Sequence, residues 1–343
     1  MTPAAVSLGR RDVLHLLTAL MATPAVWAQS KSVAALPWPS HAVNLVVPFP
    51  AGGASAILGK HLSMAFERTT LKSMRIDYRG GAGGMQGASY AASLPADGYH
   101  MLIGGSYLVK SRALLPDAEF DLMEDLTPLA LLAHVPQIVL VNPARMRVRT
   151  MTEWILELRR KLSRFRVATA GLGSSSHIAA EILRVQQSLN FEFVHFRGSG
   201  PALQDLLAGS VDTMVDGLIS CLPYLKSGQL KALMVSGSER LAAWPEVPCA
   251  AELGLDVLDS LAWYGLFTPK HLSDRLRQPI LEVLQRIGED RELASAYESM
   301  GIQWGNVYGN DFADMVAVQT QQWAQRLKGI GIKSIQIKEA EEA

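Results

Sequence analysis

Short apolar runs alternate with amphipathic stretches along the chain after residue 42. The apolar runs predict strands at 43–49, 74–78, 100–103, 166–169, 192–196, 211–215, 232–236 and 261–267. The amphipathic stretches predict helices at 56–68, 85–93, 152–163, 176–188, 202–208, 222–227, 274–289 and 311–328. Strands separated by helices in this way indicate an α/β fold, with sheets rich in parallel strands and right-handed crossovers.

Glycine-rich turns directly follow three of the predicted strands. They read AGG after VVPF, GLGSSS after RVATA, and RGSG after FVHF. Open α/β sheets bind their ligands at these carboxyl ends of strands. Each following helix begins with unpaired amide N–H groups and a partial positive charge, and glycine lets a ligand approach that backbone. Two such turns facing each other predict an anion site without arginine, unless the glycines serve only as tight turns.

The glycine spacing does not fit a nucleotide site. A phosphate-binding loop has four residues between its first glycine and its Gly-Lys pair, followed by Ser or Thr. Here Gly53 and Gly59 enclose five residues, and His61 follows Lys60. The glycine-rich segment 81–87 does not fit the GxGxxG fingerprint of dinucleotide-binding proteins either, because its last glycine, Gly87, comes one position too late. We therefore expect no nucleotide and no other cofactor.

The first 28 residues have the pattern of a secretory signal. Arg10 and Arg11 precede an apolar stretch of about ten residues, and small residues flank Trp27 before a cut after Ala28. The stretch is too short to span a bilayer, and the paired arginines fit either twin-arginine or general export. An amphipathic N-terminal helix is the alternative. We expect a soluble, periplasmic mature protein.

Composition narrows the functional classes further. The 343 residues suffice for two domains, and 32 basic residues balance 32 acidic ones, which argues against binding nucleic acid or other polyanions. Two cysteines, Cys221 and Cys249, are too few for a zinc site, and we expect no metal. Export permits a disulfide between them, but the sequence does not place their side chains within bonding distance.

A serine cluster beside a histidine raises the possibility of catalysis. Ser174 to Ser176 precede His177, so a secreted hydrolase with a Ser-His pair is one hypothesis. The chain has no GxSxG elbow, and serines at a helix start are first of all caps for free amides. We expect a binding protein rather than an enzyme, with His177 a hydrogen-bonded residue at the helix start.

The order and spacing of several segments resemble the Bug-type extracytoplasmic solute receptors, the substrate-binding subunits of tripartite tricarboxylate transporters. The resemblance spans the chain after the signal. It rests on VVPFPAGGASA, RGGAGGMQGASYAASLPADGYHMLIG, ATAGLGSSSHIAAE, HFRGSGPALQDLLAGSVDTMVD, GQLKALMVSGSERLAAWPEVPCAAELG, WYGLFTP and QWAQRLKGIGIK.

This resemblance implies a two-lobed periplasmic binding protein fold of type II-like character. Lobe one is expected at 40–137 and 264–343, lobe two at 138–263, with hinge crossings near 137–141 and 263–267. The implied ligand is a small carboxylate, either a di- or tricarboxylate or an aromatic acid, held in the cleft. The implied partners are the membrane subunits of the transporter, and we expect a monomer. A ligand sensor for a signalling partner is the alternative role.

The resemblance also implies the ligand-binding residues, mainly in one loop from each lobe. They are Phe49, Ala51, Gly52, Gly53, Ser55, Ala56, Ser106, Gly173, Ser174, Ser175, Ser176, His177 and Asp216. Family members commonly carry Asp where this chain has Ala56, which removes a negative charge and favours ligands without an ammonium group. Asp216 has a second interpretation as a cap of the next turn. Trp263 and Tyr264 are expected to pack at the hinge.

Overall fold

The computed structural model describes residues 38–114, 120–160, 165–255 and 262–330, so the predicted signal at 1–28 lies outside the described residues. The strands are β1 (Val43–Val47), β2 (Met74–Tyr78), β3 (His100–Gly105), β4 (Leu126–Val135), β5 (Gln137–Val141), β6 (Phe165–Thr169), β7 (Phe191–His195), β8 (Thr213–Gly217), β9 (Lys231–Val235), β10 (Ala262–Pro269) and β11 (Trp304–Tyr308).

Helices alternate with these strands along most of the chain. They are α1 (Ala54–Thr70), α2 (Met85–Ala92), α3 (Ser106–Leu114), α4 (Leu122–Asp125), α5 (Met151–Leu158), α6 (Ser175–Gln186), α7 (Ser199–Ala208), α8 (Leu218–Lys226), α9 (Asp274–Gly288), α10 (Arg291–Ser299) and α11 (Gly309–Ile330). Two single turns of 3-10 helix lie at Ala82–Gly84 and Ala251–Leu253.

The strands form two sheets. The first has the order β11-β4-β10-β3-β1-β2 and the second the order β7-β6-β8-β5-β9. In the first sheet β1 pairs in parallel with β2 and β3, and in the second β6 pairs in parallel with β7 and β8. The other pairings, around β10, β4 and β5, are antiparallel. The fold is α/β with flanking helices, as expected.

Both sheets are mixed, with antiparallel pairs beside the expected parallel ones. The reason is the route of the chain between the sheets. Only Pro136 separates β4 of the first sheet from β5 of the second. Since β4 runs towards the second sheet and β10 returns from it, the two strands pair antiparallel along their length, from Ala262 opposite Val135 to Pro269 opposite Leu126.

Local signals account for several helix ends. The Thr150 hydroxyl accepts a hydrogen bond from the Glu153 N–H at 3.1 Å, which confirms the predicted cap of α5. The Ser174 hydroxyl caps α6 in the same way, accepting from the His177 N–H at 3.3 Å. At the other end of α1, Leu71 adopts a left-handed conformation and closes the helix on the Glu67 carbonyl.

Aromatic side chains fill the cores, and their polar groups are paired where the chain allows it. The Trp154 indole donates to the Thr213 hydroxyl at 3.0 Å, joining α5 to β8. The Trp263 indole donates to Gln319 on α11 at 2.6 Å, and its ring packs edge-on against Phe312. Trp263 therefore packs in the core, close to the predicted hinge.

Three further observations concern a disulfide, a metal site and membrane-spanning helices. Cys221 and Cys249 are both buried and free, so no disulfide joins them. Among the described residues, no three or more His, Cys, Asp or Glu side chains come together as a metal site. None of the helices described here combines the length and the apolar character needed to cross a bilayer.

Candidate ligand-binding site

Three helices begin at the same place in the molecule. Each follows a strand through a short turn: α1 follows β1, α6 follows β6, and α7 follows β7. Residues from all three helix starts line one cavity. The first turns of α1 and α7 have glycine at the cap position and no side-chain cap. Unpaired amide N–H groups at such helix starts create a positive potential and donate to anions.

The cavity wall has both polar and apolar surface, and it contains no cationic side chain among the described residues. Its volume is about 20 Å³, slightly more than the space needed by the centre of one water molecule. It is lined by Phe49, Gly53, Ala54, Ser55, Tyr107, Gln137, Ala170, Ser174, Ser175, Ser176, Ser199, Asp216, Gly217 and Tyr264. Backbone amides and hydroxyls are therefore the donors that this wall offers to an anion.

The backbones on the two sides of the cavity approach each other closely through glycines. A Cβ atom on Gly53 would lie 3.7 Å from the Ser199 Cβ, and one on Gly200 would lie 2.9 Å from the Ala51 carbonyl oxygen. The loop before α1 thus packs against the start of α7. In the same way, a Cβ on Gly83 would lie 2.0 Å from the Leu172 carbonyl oxygen, so the turn before α2 packs against the loop before α6.

Seven of the sequence-predicted residues lie in the cavity wall: Phe49, Gly53, Ser55, Ser174, Ser175, Ser176 and Asp216. The structure places the other six outside it. Ala51 and Gly52 are exposed in the loop before α1, and Ala56 is buried in the first turn of α1. Ser106, Gly173 and His177 are also buried, behind the wall. Contact of these six with a ligand stays a prediction.

His177 supports the loop before α6. Its Nδ1 accepts a hydrogen bond from the Gly173 N–H at 3.1 Å, and its ring packs edge-on against Phe193 and His195. Burial, together with the nearby His195 and Arg184, lowers the pKa of His177 to about 3. The imidazole is therefore a neutral, buried acceptor for a backbone amide, which agrees with its interpretation as a satisfied helix-start histidine.

Two of the three neighbouring serines are also hydrogen-bonded to the backbone. The Ser174 hydroxyl caps α6, and the Ser176 hydroxyl accepts from the Ala170 N–H at 2.9 Å. Among the described residues, no serine hydroxyl of this cluster is hydrogen-bonded to the His177 ring. The geometry gives no support to a Ser-His nucleophile at this place.

Asp216 is the acidic residue of the wall. It lies near the end of β8 with 4% of its surface exposed, and its Oδ1 accepts a hydrogen bond from the Ser199 hydroxyl at 2.8 Å. Burial raises the pKa of Asp216 to about 6, and the hydrogen bond from Ser199 is the largest influence that opposes this shift. Helix α8 starts next with Gly217 at its cap position and no side-chain cap, and Asp216 lines the cavity.

Four polar wall residues were missing from the predicted set: Tyr107, Gln137, Ser199 and Tyr264. Ser199 could have been included, because its RGSG turn follows a strand as the two chosen loops do. Tyr264 was assigned to hinge packing but also faces the cavity. Burial raises the pKa of both Tyr107 and Tyr264, so the two phenols are neutral. Nothing in the local sequence singled out Tyr107 or Gln137.

Comparison with known proteins identifies relatives of this chain. Residues 61–332 match the TctC family model, the tripartite tricarboxylate transporter family receptor. The UPF0065 protein in the tcbD-tcbE intergenic region of Pseudomonas sp. strain P51 is 31% identical over 322 residues, covering 94% of each chain. BugT of Bordetella pertussis strain Tohama I is 25% identical over 323 residues, covering 92% of this chain and 99% of BugT.

Solved structures of similar proteins share the two-lobed fold. MatC (Rpa3494) from Rhodopseudomonas palustris, with bound malate, has a TM-score of 0.79 and 27% identity, covering 84% of this chain and 99% of MatC. R. palustris Rpa4515 with adipate has a TM-score of 0.81 and 25% identity, covering 87% of this chain and 100% of Rpa4515. The predicted resemblance is confirmed: this chain belongs to the tripartite tricarboxylate transporter receptor family.

Proposed function

We propose that this protein is an extracytoplasmic receptor that captures a small carboxylate between its two lobes, for a transporter of the tripartite tricarboxylate type. The observation that carries this proposal is the meeting of three helix starts, those of α1, α6 and α7, at one cavity without a cationic side chain. Helix N-termini bind anions through backbone N–H groups and the helix dipole, so no arginine is needed.

The wall residues suit a carboxylate in particular. Ser55 and Ser175 bring hydroxyls to the helix starts, and the glycine turns bring backbone without side chains. Malate and adipate, bound by the two Rhodopseudomonas proteins, are both dicarboxylates. Their shared chemistry supports a carboxylate as the ligand here, with di- and tricarboxylates and aromatic acids as the candidates.

Ligand entry requires the two sides of the cavity to separate. The cavity offers about 20 Å³ to the centre of a water-sized sphere, close to what one water molecule needs, and a dicarboxylate is several times larger than water. We propose that residues 40–137 and 264–343 form one lobe and 138–263 the other, with hinges near 137–141 and 263–267. Closure then depends on the ligand binding the closed form more tightly than the open one.

The remaining parts of the proposal concern location and partners. We propose export by the N-terminal signal, cleavage near Ala28, and a periplasmic, monomeric mature protein that performs no chemistry on its ligand. Docking of the closed form on the membrane subunits completes the proposed cycle. A transport receptor and a ligand sensor for a signalling partner both capture a ligand, so the same site would serve either role.

A thermal-shift panel tests the proposal. The protein without residues 1–28, which precede the described part of the chain, is heated with malate, succinate, adipate, citrate or benzoate. A ligand present at about 100 times its Kd adds about 2.7 kcal/mol to the free energy of unfolding, which raises Tm by several degrees for a protein of this size. Sulfate and glucose at equal concentration serve as controls. No shift with any acid, confirmed by calorimetry, would contradict the proposed function.

A further inference from the structure

Three buried polar atoms without a hydrogen-bond partner in the described part of the chain belong to residues of the cavity wall. The Tyr107 hydroxyl, Gln137 Oε1 and Asp216 Oδ2 are buried and have no hydrogen-bond partner among the described residues. All three residues line the cavity. Buried polar atoms in proteins are nearly always paired, and leaving one unpaired is costly. Three such atoms lie in one cavity wall, which also has donors at the helix starts. This indicates that a bound ligand forms the missing hydrogen bonds.

Two of these three atoms do not suit a carboxylate group. The free oxygens of Asp216 and Gln137 are acceptors, and a ligand carboxylate is an acceptor too. Ionised Asp216 would also repel it at close range in a buried site. The ligand must therefore carry a hydrogen-bond donor, placed beside the carboxylates that the helix starts receive.

A hydroxyl fits this position better than an ammonium group. Three helix N-termini already make the cavity positive, and Asp216 is the one acidic residue that the described wall contains. Ala56, at the start of α1, adds no second negative charge. A hydroxyl is neutral, and it donates to Asp216 while accepting from the neutral phenol of Tyr107. It thereby satisfies two of the unpartnered atoms at once.

We propose that the ligand is a hydroxy-carboxylate, and that Asp216 is the residue that selects it by accepting its hydroxyl proton. Ser199 positions the carboxylate, because its hydroxyl occupies Oδ1 and leaves Oδ2 for the ligand. This inference rests on the proposed function and specifies the substrate class of the same site.

The test uses pairs of acids that differ only in one hydroxyl: malate and succinate, 2-hydroxyglutarate and glutarate, citrate and tricarballylate. Calorimetry of the signal-free protein measures the Kd of each acid. We expect the hydroxy acid of the best-fitting pair to bind at least about tenfold more tightly than its partner, because the deoxy acid leaves Asp216 unpaired. Aspartate is included to present an ammonium group in place of the hydroxyl, and methoxysuccinate to keep the oxygen without its proton.

Variants assign the preference to Asp216. In Asp216→Ala, the hydroxy acid should lose at least about tenfold in affinity while the deoxy acid binds as before or more tightly, since a buried negative charge is gone. Asp314→Asn, an exposed acid on α11, is the control and should change neither Kd. Unchanged circular dichroism checks the fold, and the wild-type ligand pairs give an answer without any variant.

Each result decides the matter. Equal affinities within every pair, or tightest binding of aspartate or methoxysuccinate, overturn the hydroxyl inference and leave the carboxylate receptor standing. A hydroxyl preference that survives Asp216→Ala overturns the role of Asp216. Binding of none of these acids overturns the proposed function, and the present inference with it.

Discussion

The Ser199 hydroxyl donates a hydrogen bond of 2.8 Å to Asp216 Oδ1, joining the first residue of α7 to the end of β8. The contact holds a buried carboxylate at the cavity with its second oxygen unpartnered among the described residues. Because burial raises the pKa of Asp216 to about 6, the group is ionised at neutral pH and takes up a proton in mildly acidic solution.

The ligand preference should therefore depend on pH. As pH falls through about 6, Asp216 becomes neutral, so it stops repelling a deoxy acid and its protonated oxygen becomes a donor, which weakens its bond to a ligand hydroxyl. The malate-to-succinate affinity ratio should be larger at about pH 8 than at about pH 5. Tyr264 and Cys221, which interact with Asp216, have raised pKa values and stay neutral throughout. Calorimetry at both pH values measures the ratio.

Asp216→Asn is the control, because it keeps the shape and removes the titration. Since the acids themselves also titrate near pH 5, only the difference between wild type and variant is assigned to Asp216. The same change of ratio in both proteins would show that Asp216 is not responsible.

The free energy of unfolding without ligand should also depend on the protonation of Asp216. The dependence on pH is opposite to that of an ion-paired acid, whose pKa is lowered on folding. The folded pKa of about 6 exceeds the ordinary value of 3.8, so the folded state binds the proton more tightly than the unfolded state. The contribution is complete below about pH 4 and is lost as pH rises through about 6. Relative to Asp216→Asn, the wild type should lose up to about 3 kcal/mol of unfolding free energy over this range. Urea unfolding at several pH values measures it; a constant difference would contradict the raised pKa.

Gly53→Val should abolish ligand binding and leave the fold largely intact. Gly53 has an extended backbone conformation that valine also adopts, and a Cβ there would meet its nearest neighbour at an ordinary 3.7 Å. The branched side chain would nevertheless occupy the approach to the amides of α1. Gly329→Val, near the end of α11 with nothing within 4 Å of its Cβ, is the matched control. Unchanged affinity of the Gly53 variant in calorimetry would remove this loop from the site.

Gly83→Ala should prevent the two sides of the cavity from closing. Its Cβ would lie 2.0 Å from the Leu172 carbonyl oxygen, which belongs to the opposite side. We expect affinity to fall by at least about tenfold and small-angle scattering to show no compaction with ligand. Gly228→Ala is the matched control, since Gly228 has a similar positive φ of 70° against 61° but no atom within 4 Å of its Cβ. Equal behaviour of the two variants would mean that backbone strain, not closure, causes the loss.

Local sequence patterns predict eight of the described strands and miss several other strands and helices. The strand at 74–78 and the cap of α5 agree with the structure because each depends on adjacent residues. The predicted elements do not include helices α3, α4 and α10 or strands β4, β5 and β11. The last is partly exposed along its whole length and pairs only at the edge of its sheet, so its sequence lacks a clear apolar alternation.

The cavity shows the same limit at the level of side chains. Glycine turns after strands indicated Gly53, Ser55 and Ser174 to Ser176, because helix starts are local features. Gln137 joins them only through the long-range pairing of β5 with β8, and Tyr107, in α3, only through packing against Phe49. The burial that perturbs Asp216 is likewise a tertiary property, which no local pattern reveals.

The most direct test of the account is a crystal structure of the signal-free protein with the tightest-binding acid of the panel. We predict a ligand carboxylate within about 2.7–3.2 Å of backbone nitrogens at the starts of α1 and α6, with no arginine or lysine side chain touching it. A ligand bound elsewhere, or held in this cavity by a cationic side chain, would contradict the account.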